Sequence, residues 1–142
     1  MMQSVSIRVS GVSKRLGQNQ ALDEVSLDFA AGKMHGVIGP EGAGKTTLMR
    51  ALLGLLKPDA GRIEYRIDGA AADFEAVRPR IAYMPQQPSL YPDLSIEEHL
   101  EFFRTLYQIS SDEYRQRRRE LLDITRLEPF VDRAAGNLSG GM

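Results

Sequence analysis

A glycine-rich stretch in the first third of the sequence has the residue types and spacing of a phosphate-binding loop. Residues 39–46 read Gly-Pro-Glu-Gly-Ala-Gly-Lys-Thr, which matches the P-loop pattern G-x-x-x-x-G-K-[ST]. Glycines let backbone N–H groups converge on phosphate oxygens, and the positive end of a following helix adds to the attraction. We expect Lys45 to reach the β- and γ-phosphates of a nucleotide and Thr46 to hold Mg²⁺. The residues predicted to bind the nucleotide in this loop are Gly39, Pro40, Glu41, Gly42, Ala43, Gly44, Lys45, Thr46 and Thr47.

The elements on either side of this loop must present it to the ligand. Met34, Val37 and Ile38 form a nearly continuous apolar run before the loop, which predicts a strand buried on both faces, as in a parallel sheet. After the loop, leucine and methionine recur at helical spacing as far as Leu56, and Lys57-Pro58 ends the predicted helix. The predicted order of strand, glycine-rich loop and helix is the one that phosphate binding requires.

Four further strand segments are predicted in the first 84 residues, two of them from alternating apolar and polar residues. Two of them form an antiparallel edge near the N-terminus, and the others are predicted at residues 63–67 and 81–84, the last of them buried. The apolar positions that define the N-terminal pair are Val5, Ile7, Val9, Val25, Leu27 and Phe29.

Two helices are predicted after the proline-rich residues 85–92. Ser95 with Glu98, and Ser110 with Glu113, have the spacing of capping boxes. We expect the apolar side chains of these helices to face inward, namely Ile96, Leu100, Phe103, Tyr107, Tyr114, Leu121 and Leu122. The chain then reads as one domain, with a β/α core over about residues 1–87 and a small helical subdomain over about residues 88–142.

Composition excludes several classes of protein. The 142 residues contain no cysteine, which excludes a disulfide scaffold, and two distant histidines cannot supply a zinc site. A net charge of −1 gives no overall attraction to nucleic acid, and no apolar run approaches the ~20 residues of a membrane span. The N-terminus lacks the plan of a secretory signal, so a cytoplasmic location is expected. The arginines at 115 and 117–119 are interpreted as a solvated face balanced by acidic neighbours, with contact to RNA or acidic lipid as the alternative.

Two later segments, in order after the P-loop, resemble those of ATP-binding-cassette (ABC) ATPases. Residues 81–86, followed by Leu90-Tyr91-Pro92-Asp93-Leu94-Ser95, look like the Q-loop of that family, and residues 138–141 read Leu-Ser-Gly-Gly, the core of its signature. The ordered set of three motifs is specific. From about Val5 onward the chain resembles the ATP-binding subunit of an ABC transporter, most closely of the export-type (ABC-2) branch, truncated at the signature.

The resemblance implies a fold and a set of roles. The fold would be α/β, a P-loop NTPase core with an N-terminal antiparallel β edge and a small α-helical subdomain, here as an incomplete cassette. Gln86 would be the catalytic residue that touches Mg²⁺ and the attacking water, while Ser139, Gly140 and Gly141 would reach the γ-phosphate in a partner cassette's site. The implied cofactors are ATP and Mg²⁺. The implied partners are a membrane-spanning permease and a second cassette, identical or fused, with no nucleic acid, at the inner face of the cell membrane.

The sequence departs from the family pattern at three places. Leu16 stands where the family has an aromatic residue that stacks on adenine, so a group such as Arg15 would have to hold the base. Glu41 stands where the family usually has asparagine. The 142 residues also end before the family's Asp-Glu strand and its later histidine, whose positions neither His35 nor His99 takes, since both are interpreted as structural.

These departures leave three functions open. The first is ATP hydrolysis coupled to export across a membrane, with these 142 residues inactive on their own. The second is a non-transport ABC ATPase that acts on ribosomes or DNA. The third is a fragment that binds nucleotide without hydrolysing it.

Overall fold

The structure is a computed structural model that describes residues 4–86 and 90–138. The chain divides into two compact units, residues 1–83 and residues 84–142. Within the described ranges, every helix is too short or too polar to span a lipid bilayer.

An antiparallel sheet forms the base of the first unit. It contains four strands in the spatial order β2-β1-β3-β4. Each neighbouring pair is antiparallel, and β1 pairs with both β2 and β3. The bounds of the strands are β1 Val5–Leu16, β2 Asn19–Phe29, β3 Ala60–Ile67 and β4 Ala70–Ala72. The predicted antiparallel edge and the predicted strand at 63–67 are confirmed.

Helix α1, Lys45–Leu52, packs on this sheet and forms the core of the unit. One face of the helix contributes Leu48 and Leu52, which meet apolar side chains of β1 and β2. The buried cluster consists of Val9, Val12, Leu22, Leu48 and Leu52, with Ile7, Val25, Phe29 and Ile63 packed against it. A short helix, α2 at Phe74–Val77, and a 3₁₀ turn at Arg78–Arg80 follow the sheet.

The helix after the loop is shorter than its apolar periodicity predicts. Gly54 has a φ of +66°, its N–H donates to the Ala51 carbonyl at 3.1 Å, and the Leu55 N–H donates to the Arg50 carbonyl at 2.9 Å. These two bonds are the Schellman motif, in which a glycine in the left-handed region ends a helix. Leu56 therefore lies beyond the helix, although its spacing continues the pattern.

Two strand predictions are wrong. Residues 34–38 and residues 81–84 form no strand, and Ile38 is 96% and Met84 93% exposed. Met34 is also fully exposed. A strand needs a neighbouring strand to pair its N–H and C=O groups, and among the described residues neither segment has such a partner. The apolar sequence predicted burial of both segments, but these side chains are exposed because burial in a sheet also requires a partner strand.

Two helices dominate the second unit. They are α3, Ile96–Leu106, and α4, Ser111–Thr125, and short 3₁₀ turns follow at Glu128–Phe130 and Ala135–Asn137. Ser95 and Glu98 form the predicted capping box, since the Glu98 carboxylate accepts the Ser95 N–H at 2.7 Å and Ser95 Oγ accepts the Glu98 N–H at 3.2 Å.

The other helix start and several predicted inward positions differ from expectation. Ser110 caps α4 through the Glu113 N–H at 3.3 Å, but the Glu113 carboxylate pairs with Arg117 at 2.7 Å instead of closing a capping box. Tyr114 and Leu122 are buried as predicted, whereas Leu121 is 51% exposed. Phe103 and Tyr107 on α3 are exposed as well. Helical spacing thus identified two buried positions of α4, whereas none of the positions predicted on α3 is buried and His99 is the buried residue of that helix.

A partly buried ion pair joins α3 to α4. The Arg118 guanidinium donates to both oxygens of Glu97, with contacts of 2.7 and 2.9 Å to Oε2, and the Tyr114 hydroxyl donates to Oε1 at 3.1 Å. The bonds from Arg118 hold the pKa of Glu97 below its ordinary value. Burial, together with the adjacent Glu97 carboxylate, raises the pKa of Tyr114 to about 12. This network fixes the register of the two helices.

Tyr65 of β3 joins the sheet to the end of α1. Its side chain is buried, with 8% exposure, and its hydroxyl donates to the Leu52 carbonyl at 2.9 Å. That carbonyl belongs to the last turn of the helix, where backbone acceptors have no partner within the helix. We expect Tyr65→Phe to lower the free energy of unfolding by about 1 kcal/mol, because a buried hydrogen bond is lost. Hydrogen exchange of the peptides that cover α1 and β3 measures this change.

The matched control is Tyr107→Phe, since Tyr107 is the most exposed tyrosine among those of the described residues. It should leave protection of α1 and β3 unchanged. Equal effects of the two substitutions would contradict a specific role for the Tyr65 hydroxyl.

Candidate functional site

The glycine-rich loop adopts a backbone that only glycine accepts readily. Gly42 has a φ of +79° and Gly44 a φ of +85°. Gly44 is the N-cap of α1, and its carbonyl accepts the Leu48 N–H at 2.8 Å as the first bond of the helix. The loop therefore turns directly into a helix N-terminus, where the first backbone N–H groups have no partner within the helix.

The β1–β2 hairpin supports this turn at very close range. A Cβ atom added to Gly44 would lie 2.2 Å from the Ala21 carbonyl oxygen and 3.2 Å from the Leu22 side chain. No alanine or larger residue fits there, whatever its φ. Gly42 has open space around it, so that position needs glycine for its backbone angle alone.

Lys45 holds its ammonium group over the beginning of the loop. Its Nζ donates to the Gly39 carbonyl at 2.8 Å and to the Pro40 carbonyl at 2.7 Å. The Ala43 N–H donates to the same Pro40 carbonyl at 3.3 Å, which closes the turn. The Lys45 ammonium group thus lies against the first two carbonyls of the loop. The backbone N–H groups that follow the loop belong to the first turn of α1.

The donor set of this loop fits a phosphate group with Mg²⁺. Backbone N–H groups at a helix N-terminus together with a lysine ammonium form an anion-binding site. The Thr46 residue is exposed and offers a hydroxyl oxygen, a ligand type that Mg²⁺ accepts. Thr47 is half-buried and Glu41 is exposed.

The other predicted site residues are not part of the glycine-rich loop. Gln86 is exposed and belongs to the second unit. Ser139, Gly140 and Gly141 lie outside the described residues. Leu16 ends β1 and is about half exposed.

The arginines of α4 are engaged with neighbouring groups of the helical unit. Arg117 and Arg118 pair with glutamates, Arg115 pairs with Asp112, and the Arg119 guanidinium donates to the Arg115 carbonyl. Acidic neighbours balance this face, which favours the interpretation of a solvated surface over one that contacts RNA or acidic lipid.

Sequence reasoning missed one residue that shapes the site. Ala21 contributes its carbonyl rather than its side chain, so no residue type marks it in the sequence. The available signal was Gly44, the third glycine of the loop, since a glycine can mark a place where another part of the backbone comes close.

Comparison with known proteins places this geometry in a family. Residues 22–142 match the sequence profile of the ABC transporter family. The chain is 41% identical over 99% of its length to the daunorubicin resistance ATP-binding protein DrrA3 of Streptomyces coeruleorubidus, of which it covers 45%. It is 40% identical over 96% of its length to a probable sulfate/thiosulfate import ATP-binding protein of Chlorella vulgaris, of which it covers 58%. The chain thus spans about half the length of these relatives.

Solved structures agree with the sequence comparison. An ATP-binding subunit of an ABC transporter superposes with a TM-score of 0.75 at 32% identity, over 94% of this chain and 55% of that one. A dimeric bacterial ABC transporter cassette superposes with a TM-score of 0.73 at 29% identity, over 94% of this chain and 63% of that one. The chain belongs to the ABC transporter family and is part of an ATP-binding cassette.

Proposed function

We propose that residues 39–47 bind the phosphates of ATP, and that the chain is part of an ABC ATPase that drives export across a membrane. The observation that carries the proposal is the loop itself. Two glycines at positive φ lead into a helix N-terminus, and the Lys45 ammonium lies over the loop with bonds of 2.7–2.8 Å. Backbone amides, helix dipole and lysine all favour negative charge at one place.

Binding would exchange the partners of Lys45. The two carbonyls that it now contacts are neutral acceptors, whereas phosphate oxygens are charged and form stronger bonds with an ammonium group. The N–H groups from Gly42 to Thr46 would donate to the same anion. The Thr46 hydroxyl would hold Mg²⁺, which neutralises charge on the phosphates when it is bound. Phosphoryl transfer depends mainly on such positioning and neutralisation.

The remaining site residues are assigned by family resemblance. Gln86 would touch Mg²⁺ and orient the attacking water. Ser139, Gly140 and Gly141 would approach the γ-phosphate bound to a second cassette, so two cassettes would be needed for a complete site. The dimeric cassette to which the chain is similar supports this arrangement.

Export is stated in three of the related names, all of them Nod factor export proteins, whereas two of the names state sulfate/thiosulfate import. Alongside the daunorubicin resistance protein, relatives include a probable multidrug ATP-binding protein of Escherichia coli at 39% identity and a Nod factor export protein of Ralstonia nicotianae at 35%. The sulfate/thiosulfate import relative at 40% identity is the competing assignment. In either case the partner would be a membrane-spanning permease, and the cassette would act at the inner face of the cell membrane.

Nucleotide binding should depend on Lys45. A hydrogen bond to a charged group contributes about 1.5–3 kcal/mol, so Lys45→Ala should weaken Mg-ATP binding by about ten- to a hundredfold. Isothermal calorimetry measures the affinity. The control is Lys57→Ala, an exposed lysine of the same unit, which should bind like the unsubstituted chain. Undiminished affinity of Lys45→Ala would remove the assignment of the loop.

These 142 residues should bind ATP without turning it over. The family's Asp-Glu strand supplies a ligand to Mg²⁺ and the carboxylate beside the attacking water, and neither follows within this sequence. We expect the chain to release phosphate no faster than its Lys45→Ala variant, whereas a chain extended through that strand should release it faster. Sustained, Lys45-dependent release from the 142 residues would show that the catalytic groups have been assigned to the wrong positions.

The direction of transport can be tested with the full-length protein and its permease in membrane vesicles. Inside-out vesicles expose the cassette to added ATP, so an exporter should accumulate daunorubicin in them, and Lys45→Ala should abolish this accumulation. ATP-dependent sulfate uptake by intact cells, lost in the same variant, would contradict export.

A further inference from the structure

His99 is a buried titratable residue that the proposed ATPase function does not use. It lies in the first turn of α3, and 6% of it is exposed. Of the two histidines in the chain it is the buried one, since His35 is exposed. Both of its ring nitrogens have a backbone partner.

Those two partners determine which nitrogen carries the proton. Nδ1 lies 2.9 Å from the Ser95 carbonyl oxygen, which can only accept, so Nδ1 must donate. Nε2 lies 3.0 Å from the Tyr91 backbone nitrogen, whose N–H can only donate, so Nε2 must accept. The contacts therefore require the neutral ring with its hydrogen on Nδ1.

The bond to Tyr91 is the one that a second proton would break. A proton on Nε2 would face the Tyr91 N–H, donor against donor, in a site with little water. The bond to Ser95 would survive because Nδ1 donates in both states. The neighbouring backbone has other supports, since the Gly136 N–H donates to the Pro92 carbonyl at 2.9 Å and the Ala135 N–H to the Leu94 carbonyl at 2.8 Å. Protonation would therefore free the Tyr91 N–H, whereas the Tyr91 carbonyl would still accept the Leu94 N–H at 3.1 Å.

The charged groups around the ring lie on three segments. Glu98, its neighbour on α3, accepts the Ser95 N–H, which holds the pKa of that carboxyl below its ordinary value. The loop side carries Asp93 and presents the Tyr91 ring, whose centroid lies 6.1 Å from that of His99. The segment that bonds to the start of α3, residues 131–135, carries Asp132 and Arg133. The two bonds of the capping box do not involve the imidazole of His99, so they remain when the ring gains a proton.

We infer that His99 is a pH-sensitive clip, which in its neutral form holds the Tyr91 backbone against the first turn of α3 and on protonation lets it go. The bond is present above the pH at which the ring gains its second proton and is lost below it. The clip therefore determines how firmly the Tyr91 backbone is held to the start of α3. The inference concerns the apo chain and does not require nucleotide.

Hydrogen exchange of the Tyr91 amide, followed by NMR on the full chain, tests the clip. Protonation removes the one hydrogen bond that the Tyr91 N–H donates, so opening should become more frequent as the pH falls from 7.5 to 5.0. After correction for the intrinsic exchange rate, the protection factor of Tyr91 should fall by about two- to tenfold, the effect of losing one hydrogen bond. Imidazole nitrogen shifts at pH 7.5 should report hydrogen on Nδ1 of His99.

The variants are His99→Gln and the matched control His35→Gln, which changes the other histidine. His99→Gln should remove the pH dependence of Tyr91 protection, and His35→Gln should retain it. A wild-type protection factor that is constant from pH 7.5 to 5.0, or an imidazole with hydrogen on Nε2, would overturn the inference. The second measurement needs no variant, so the test stands even if His99→Gln fails to fold.

Discussion

The approach of the Ala21 carbonyl to Gly44 is the constraint on which the first unit depends. A Cβ at Gly44 would lie 2.2 Å from that oxygen, so the backbone of the hairpin and the backbone of the loop are in direct contact. Gly44 also has a φ of +85° and begins α1. One position thus joins the antiparallel sheet, the glycine-rich loop and the N-terminus of α1. The helix is fixed at its other end by the Tyr65 hydroxyl on the Leu52 carbonyl.

Much of this arrangement follows from local sequence. The loop pattern, the N-terminal strands and the Ser95 cap are properties of neighbouring residues, and local chemistry is sufficient to predict them. The end of α1 was mispredicted because the apolar spacing continues past Gly54, whose Schellman bonds end the helix. Gly54 was a better indication of where the helix ends than the spacing of the apolar residues.

The strand errors have a different cause. Residues 34–38 and 81–84 are apolar enough to be buried, but pairing is a property of two segments, and the described part of the chain offers them no partner. Ile38 and Met84 are accordingly almost fully exposed. The chain covers 55–63% of the solved cassettes that it resembles, so a partner strand in the remainder of a cassette would explain why these segments are apolar. The roles proposed for Gln86 and for the signature residues likewise depend on parts of a cassette that lie outside these 142 residues.

Amide NMR shows directly whether the backbone of the glycine-rich loop binds a triphosphate. Mg-ATP should be titrated into the ¹⁵N-labelled chain while every assigned amide is followed. The largest shifts should occur at Gly42, Gly44, Lys45 and Thr46, while Gly69, a glycine of similar φ at +82° in a turn of the sheet, should stay unchanged. Saturable shifts confined to other segments, with the amides of the loop unmoved, would contradict binding by this loop.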